Sequence, residues 1–151
     1  MDNTDIKILN CLSENARMSS SMIGERINMS VSAVIERIKK LEQSGIIKSY
    51  TCVLNPEAIG KEMVVFIFVN LEHPRYNDIF IDSAKKNREI IECYMITGDY
   101  DFLIKVITDS TKSLERILDN IKRIKGVSLT RTLVVLRSPK EEFLTVYPEE
   151  Q

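Results

Sequence analysis

Residues 30–45, S-V-S-A-V-I-E-R-I-K-K-L-E-Q-S-G, constrain the chain most, because they specify one helix with a start, a stop and two unlike faces. Ser30 is an N-cap residue whose hydroxyl accepts from a free amide of the first turn, and Gly45 stands where a left-handed residue closes the last. Val31, Val34, Ile35, Ile38 and Leu41 recur at helical spacing and predict a stripe turned to a core. Ser32, Ala33, Glu36, Lys39, Lys40 and Gln43 are left on the outer arc. Small side chains at Ser32 and Ala33 let a helix end enter a major groove closely, and Lys39 and Lys40 reach phosphates. The same arc also suits an ordinary amphipathic helix with a solvated face, so the preceding residues have to decide.

Those residues read as two more helices. Residues 3–14 carry Ile6, Ile8, Leu9, Cys11 and Leu12 behind a cap at Asn3 or Thr4. The polar segment N-A-R-M-S-S-S follows, and its serines at 19–21 offer a cap to a short helix with Met22, Ile23, Arg26 and Ile27. Asn28 tolerates the left-handed backbone that a sharp helix-to-helix turn requires, and Met29 is expected to tuck between the two helices. A short helix, a three-residue turn and a longer capped helix are the order of a helix-turn-helix.

After Gly45 the period changes. I-I-K-S-Y-T-C-V-L reads as a short strand leaving the helical domain, and N-P-E-A-I-G as a linker. The expected division is a helix-turn-helix domain at 1–54, a linker at 55–62 and a second domain at 63–151. In the second, residues 64–71 form a strand apolar on nearly every residue, covered on both faces or buried in a dimer. Pro74 opens a helix to about 87 with Tyr76, Ile79, Phe80, Ser83 and Ala84 inward. Residues 90–97 and 102–108 are strands joined by G-D-Y-D. A helix with the stripe Leu114, Ile117, Leu118, Ile121 and Ile124 ends at Gly126, and 127–136 is the last strand. The order β-α-β-β-α-β is the ferredoxin-like split βαβ, so the fold class is α+β. The tail at 137–151, with F-L-T-V-Y, is expected to add an edge strand or to wrap a partner.

Charge and composition exclude several classes. The formal net charge is −1, and residues 1–60 balance seven Lys and Arg against seven Asp and Glu, so a basic patch has to come from local clustering at 37–48. No segment approaches an apolar membrane span, and M-D-N-T-D lacks the character of a signal peptide, which predicts a cytoplasmic protein. Cys11, Cys52 and Cys93 stand singly, as reduced thiols do, and no metal or cofactor is expected.

Several pieces together resemble one known family. They are Asp5 with Ile8 and Leu9, N-A-R-M-S at 15–19, the 30–45 helix with Arg37 and Leu41, G-I-I-K-S-Y at 45–50, N-P-E-A-I-G at 55–60, G-D-Y-D at 98–101, and G-V with Thr130 and Thr132. In order and spacing the chain is similar, over about residues 2–136, to the Lrp/AsnC feast/famine transcriptional regulators. The resemblance implies an N-terminal (winged) helix-turn-helix on double-stranded DNA and a C-terminal domain that dimerises and senses a small molecule. It also implies a homodimer that assembles further to a tetramer or octamer. Gly24 departs from the family's usual alanine, Asn28 from its glycine, and Val31 and Ala33 from prolines common there. Gly24 is expected to cost the second helix roughly 1 kcal/mol against alanine.

The candidate DNA-binding residues are Ser30, Ser32, Ala33, Glu36, Arg37, Lys39, Lys40 and Lys48. Lysines on phosphates set affinity, and base-edge contacts from Ser32, Ala33 and Glu36 set sequence choice. Arg37 either reaches a phosphate or pairs with a carboxylate such as Asp5 or Glu14. The candidate effector residues are Gly98, Asp99, Tyr100, Asp101, Thr130 and Thr132. Exposed amides at Gly98 and Asp99 suit a carboxylate and Asp101 an ammonium, as a free amino acid requires, although Gly and Asp are also plain turn formers. That the loop lies at an effector site between dimers is what the resemblance implies. Two rivals are a tetrapyrrole (sirohaem-type) decarboxylase of the same architecture, for which His73 is the sole histidine, and a ligand sensor whose N-terminal domain binds protein. No catalytic constellation is assembled from these residues.

Overall fold

The computed structural model describes residues 1–140, which form two compact units, Met1–Val53 and Leu54–Pro139. The expected contribution of residues 141–151 as an edge strand or wrap lies outside the described residues.

The first unit is three helices, α1 (Asn3–Glu14), α2 (Ser20–Ile27) and α3 (Val31–Gln43), around Ile8, Leu9, Cys11, Ile23, Val34 and Leu41. The α1 cap is Asp2, one residue before the expected pair. Its carboxylate accepts from the amides of Thr4 and Asp5, both at 2.9 Å, while Asp5 Oδ2 accepts from the Asp2 amide, a reciprocal capping box. Ser19 caps α2, and Asn28 ends it in the left-handed region at φ 56° and ψ 53°.

Gly24 is not the defect that helix propensity makes it. It is buried in α2, and a Cβ there would stand 2.6 Å from the Met29 carbonyl oxygen and 3.8 Å from Val34 Cγ2. The chain folds so tightly across Asn28 that the Met29 amide donates to the Gly24 carbonyl at 2.8 Å. The missing side chain is what lets the turn close.

Residues 46–54 form no strand. Their β-branched composition suits a pleated, half-buried surface, but no ladder forms on them, and Ile46, Tyr50, Val53 and Leu54 are exposed. Ile47 folds back, packing against the helical core with its amide on the Leu41 carbonyl at 3.1 Å.

The second unit is a four-stranded antiparallel sheet, β1 (Met63–Leu71), β2 (Ile90–Met95), β3 (Phe102–Thr108) and β4 (Val127–Val134), in the order β2-β3-β1-β4. Helices α4 (Asn77–Lys86) and α5 (Thr111–Lys122) cover one face. This is the expected βαββαβ fold. Alternation explains the continuous apolar run of β1: Val65, Ile67 and Val69 point to the helices and are fully buried, whereas Phe66 and Phe68 point the other way and are half-buried. In α5 the expected stripe holds, with Leu114, Ile117 and Ile121 buried and Leu118 and Ile124 beside them. In α4 it is rotated. Phe80 and Ala84 are buried and Ile81 joins the core, while Ile79 is exposed, because a 3₁₀ turn over Pro74–Tyr76 delays the helix start and shifts the buried arc.

Gly24→Ala is accordingly expected to destabilise the first unit by about 1–3 kcal/mol through overpacking, opposite in sign to its helix propensity. Thermal unfolding of the two proteins under one buffer checks the sign.

Candidate functional site

The N-terminus of α3 is built from its own first turn. Ser30 Oγ accepts from the Ala33 amide at 3.3 Å and shares a hydrogen bond with Ser32 Oγ at 3.2 Å. Val34 and Leu41 are buried and Ile38 is half-buried, but Val31 and Ile35, expected in the core, are 45% and 52% exposed. Positions 34, 38 and 41 span the narrow arc that α1 and α2 are able to cover in so small a unit, and 31 and 35 lie past its edge.

Electrostatics divide the outer residues into two edges. Arg37 Nη1 bridges Asp2 Oδ2 at 2.7 Å and Asp5 Oδ1 at 2.8 Å, tying α3 to the N-terminus of α1; Glu14, the other candidate partner, pairs with Arg26 at 2.6 Å. Lys40 Nζ lies 2.8 Å from Glu36 one turn before it. Arg37 and Lys40 line a shallow groove of about 570 Å³ with Met29, Ala33, Glu36 and Ser44. Lys39 and Lys48 are exposed, and neither forms an ion pair among the described residues. Tyr50, beyond the helix, donates to Glu42 Oε1 at 2.9 Å; burial first and Glu42 second push its hydroxyl up to about 12.

The 98–101 loop is held by the end of β1. Gly98 takes φ +112°, a conformation that disfavours side chains. The Asp101 amide donates to the Val69 carbonyl and to Asn70 Oδ1, both at 3.1 Å, and Asn70 Nδ2 donates to the Asp99 carbonyl at 2.9 Å. Asp101 Oδ2 accepts from the Leu71 amide at 2.7 Å. The register slips between Asn70 and Leu71, and this carboxylate satisfies an amide at the slip. Asn70 escapes a reading based on motifs; its signal is that it is the one polar residue in M-V-V-F-I-F-V-N-L.

The structure brings only part of the expected effector set to one side. Thr130 pairs across from Val69 and Thr132 from Ile67, so both lie on the helix-facing side of the sheet. Tyr100 stacks on Phe68, ring centroids 5.0 Å apart at 45°, on the opposite side. Thr130 and the loop flank the same end of β1 from its two neighbours, and Thr132 stands one pleat further along. His73 spends Nδ1 accepting from the Arg75 amide at 3.1 Å as the cap of the 3₁₀ turn.

Comparison with known proteins agrees with this two-part arrangement. Residues 1–48 match a family described as a winged helix-turn-helix DNA-binding domain, and residues 64–145 match the Lrp/AsnC ligand binding domain. The chain is 37% identical over 141 residues to the HTH-type transcriptional regulator FL11 of Pyrococcus horikoshii, covering 93% of each protein. It is 32% identical over 144 residues to the leucine-responsive regulatory protein of Escherichia coli, covering 93% of this chain and 88% of that one. A crystal structure of the transcriptional regulator NMB0573 of Neisseria meningitidis, in complex with L-Met, superposes with a TM-score of 0.90 at 30% identity and 94% coverage of both chains.

The Asp2 carboxyl is held below its ordinary value of 3.8 by the Asp5 amide first and by Arg37 second. A depressed carboxylate pKa contributes stability that is present above 3.8 and lost as pH falls through the lower folded value. Arg37→Gln should therefore raise the Asp2 titration, seen by carboxyl NMR, yet leave it below 3.8, because the amide bond remains. A return to 3.8 would mean that Arg37 and not the cap dominates.

Proposed function

The chain belongs to the Lrp/AsnC family of transcriptional regulators, with a helix-turn-helix DNA-binding domain and a ligand-binding domain, and from that membership we propose how its own residues carry the two tasks. The observation that carries the reading is α3 itself, whose Ser30-capped N-terminus and outer face stand clear of the core behind a left-handed turn at Asn28. Ser32, Ala33 and Glu36 meet base edges, Ser30 closes the helix end, and Lys39, Lys40 and Lys48 meet phosphates. Arg37 serves mainly as the strut to Asp2 and Asp5. As a DNA-binding regulator related to others so named, the protein acts in the cytoplasm.

The working unit is a homodimer that assembles further, to a tetramer or octamer. The supporting observation is the sheet face away from the helices. Phe66, Phe68 and Leu103 are half-buried there, and Tyr94, Leu129 and Leu133 are exposed at 49%, 54% and 45%. Arg131, across from Phe68, and the Lys105–Glu92 ion pair lie on the same face, and this mixture of apolar residues and charges of both signs suits a second copy of the same face. Two α3 helices then address successive major grooves about one helical turn apart, roughly 34 to 36 Å.

The effector is a free amino acid, held at the 98–101 loop. Asp101 commits Oδ2 to the Leu71 amide and offers Oδ1 to the ammonium, and amides at Gly98 and Asp99 meet the carboxylate. Thr130 reaches the same strand end from the other side, and Thr132 stands behind it. Tyr100, stacked on Phe68, joins this loop to the apolar sheet face, so occupancy and assembly are linked. Relatives that are named as regulators, one of them solved with L-Met, favour this reading over a decarboxylase.

Selection of bound genomic fragments with and without an amino-acid panel tests the function as a whole. Lys39→Ala should weaken binding to all sequences and lower the salt slope by about 2 per dimer. Lys40→Ala should do less, since Glu36 already neutralises it; equal slopes in wild type and both variants would make these lysines bystanders. Asp101→Ala should abolish the amino-acid effect on assembly and DNA affinity while ligand-free DNA binding survives. If Asp101 only fastens the loop to β1, the variant melts earlier but titrates the same amino acid calorimetrically with unchanged affinity.

A further inference from the structure

The two side chains that leave the core stripe of α3 form a row. Val31, Ile35 and Lys39 follow one another at four-residue spacing along the helix, and all three are exposed. The other edge of the outer face is occupied differently, with Arg37 tied to Asp2 and Asp5 and Lys40 to Glu36. The edge with neutralised charge is anchored to α1 through Arg37, and the other edge exposes two apolar side chains and, at Lys39, an ammonium with no ion pair among the described residues.

Single exposed apolar residues need no explanation. Two β-branched ones in the first two turns of the helix that enters the groove are a different matter. Base edges offer one apolar group in the major groove, the C5 methyl of thymine. Val and Ile are stiff at χ1 in a helix, so little rotamer freedom is lost when they meet it. Their Cβ atoms stand about 5–6 Å apart, and base pairs rise about 3.4 Å, which matches methyls one or two steps apart. Lys39 continues the row toward the backbone. A protein partner is a poorer fit, because two side chains fall far short of the roughly 800 Å² per partner that a stable interface buries.

We infer that Val31 and Ile35 read thymine methyl groups in the major groove and determine sequence choice together with the polar residues beside them. This rests on the DNA-binding reading of α3, and it is testable separately from it. The probe is a duplex selected by the wild-type protein from a random pool, compared with the same duplex carrying deoxyuridine at one thymine at a time. Deoxyuridine removes the methyl and leaves the Watson–Crick pairing intact.

At one or two thymines per half-site the wild-type protein should lose about fourfold in affinity for each methyl removed. Val31→Ala with Ile35→Ala should bind the thymine duplex more weakly and show a deoxyuridine penalty near onefold at those positions. The sites are exposed, so the melting temperature should be unchanged, and equal melting is the control for folding. If the wild-type protein binds the selected duplex and tolerates deoxyuridine throughout, the inference is overturned while DNA binding stands. If the double variant instead loses its oligomeric state and keeps the wild-type methyl penalty, the row faces a second copy and the inference also fails. Failure to select any duplex would count against the DNA-binding reading itself.

Discussion

The Met29 carbonyl oxygen lies 2.6 Å from where a Cβ of residue 24 would be, and the geometry of the helix-turn-helix depends on that close approach. An alanine at 24 would favour α2 as an isolated helix, yet it would push the turn away and move α3 as a body. The left-handed Asn28 completes the arrangement. Its side chain costs less in that region than most residues would, so a turn often built with glycine is here built with glycine four residues earlier and asparagine at the bend. The direction in which α3 presents Ser32, Ile35 and Glu36 follows from this closure, and the Arg37 bridge to Asp2 and Asp5 fastens the far side.

In the second unit the equivalent constraint is alternation along β1. One set of its side chains is sealed under α4 and α5, and the other set, Phe66 and Phe68, is half-buried on the face that neither of these helices covers. At its end β1 stops alternating apolar residues, and Asn70 and the Leu71 amide turn to the 98–101 loop. The loop is therefore a rigid attachment on the strand carrying both faces. On the proposed reading, an effector held there acts on a strand end shared by the core and the open face, which is a physical route to coupling without a long chain of intermediates.

Much of this is legible in the residues. Capped amphipathic helices, the βαββαβ order and the stripe of α5 follow from period and punctuation, because each is a local property of the chain. What is not legible is tertiary. Period shows that Val31 and Ile35 share a side with Val34, but the width of the covered arc depends on how far α1 and α2 reach. Residues 46–54 have strand composition, but a strand exists only where another strand accepts its amides. The asparagine at position 70 looks incidental until the fold sets it beside residues 29 and 31 positions away. The rotation of α4, with Ile81 in place of Ile79, comes from where a 3₁₀ turn hands over to an α-helix. Gly24 is legible as a departure and misjudged as a cost, since its partner is a carbonyl in a turn.

Charge is the feature that ties the two units together in function. Seven cations against six anions in Met1–Val53 give the DNA-binding unit little long-range attraction of its own. Ion pairing reduces the count further, because Arg26, Arg37 and Lys40 are already answered by carboxylates. Lys7, Arg17, Lys39 and Lys48 of this unit form no ion pair among the described residues, and each phosphate contact adds only a modest increment to affinity. On the proposed reading, occupancy then depends on joining two or more such weak units, and the gain comes from effective concentration and not from new contacts. A regulator whose single unit bound tightly would be insensitive to its assembly state. On the same proposed reading, the near-neutral helix-turn-helix makes DNA affinity depend steeply on assembly, so a small molecule that changes how sheets associate is able to change transcription without touching the DNA-binding residues.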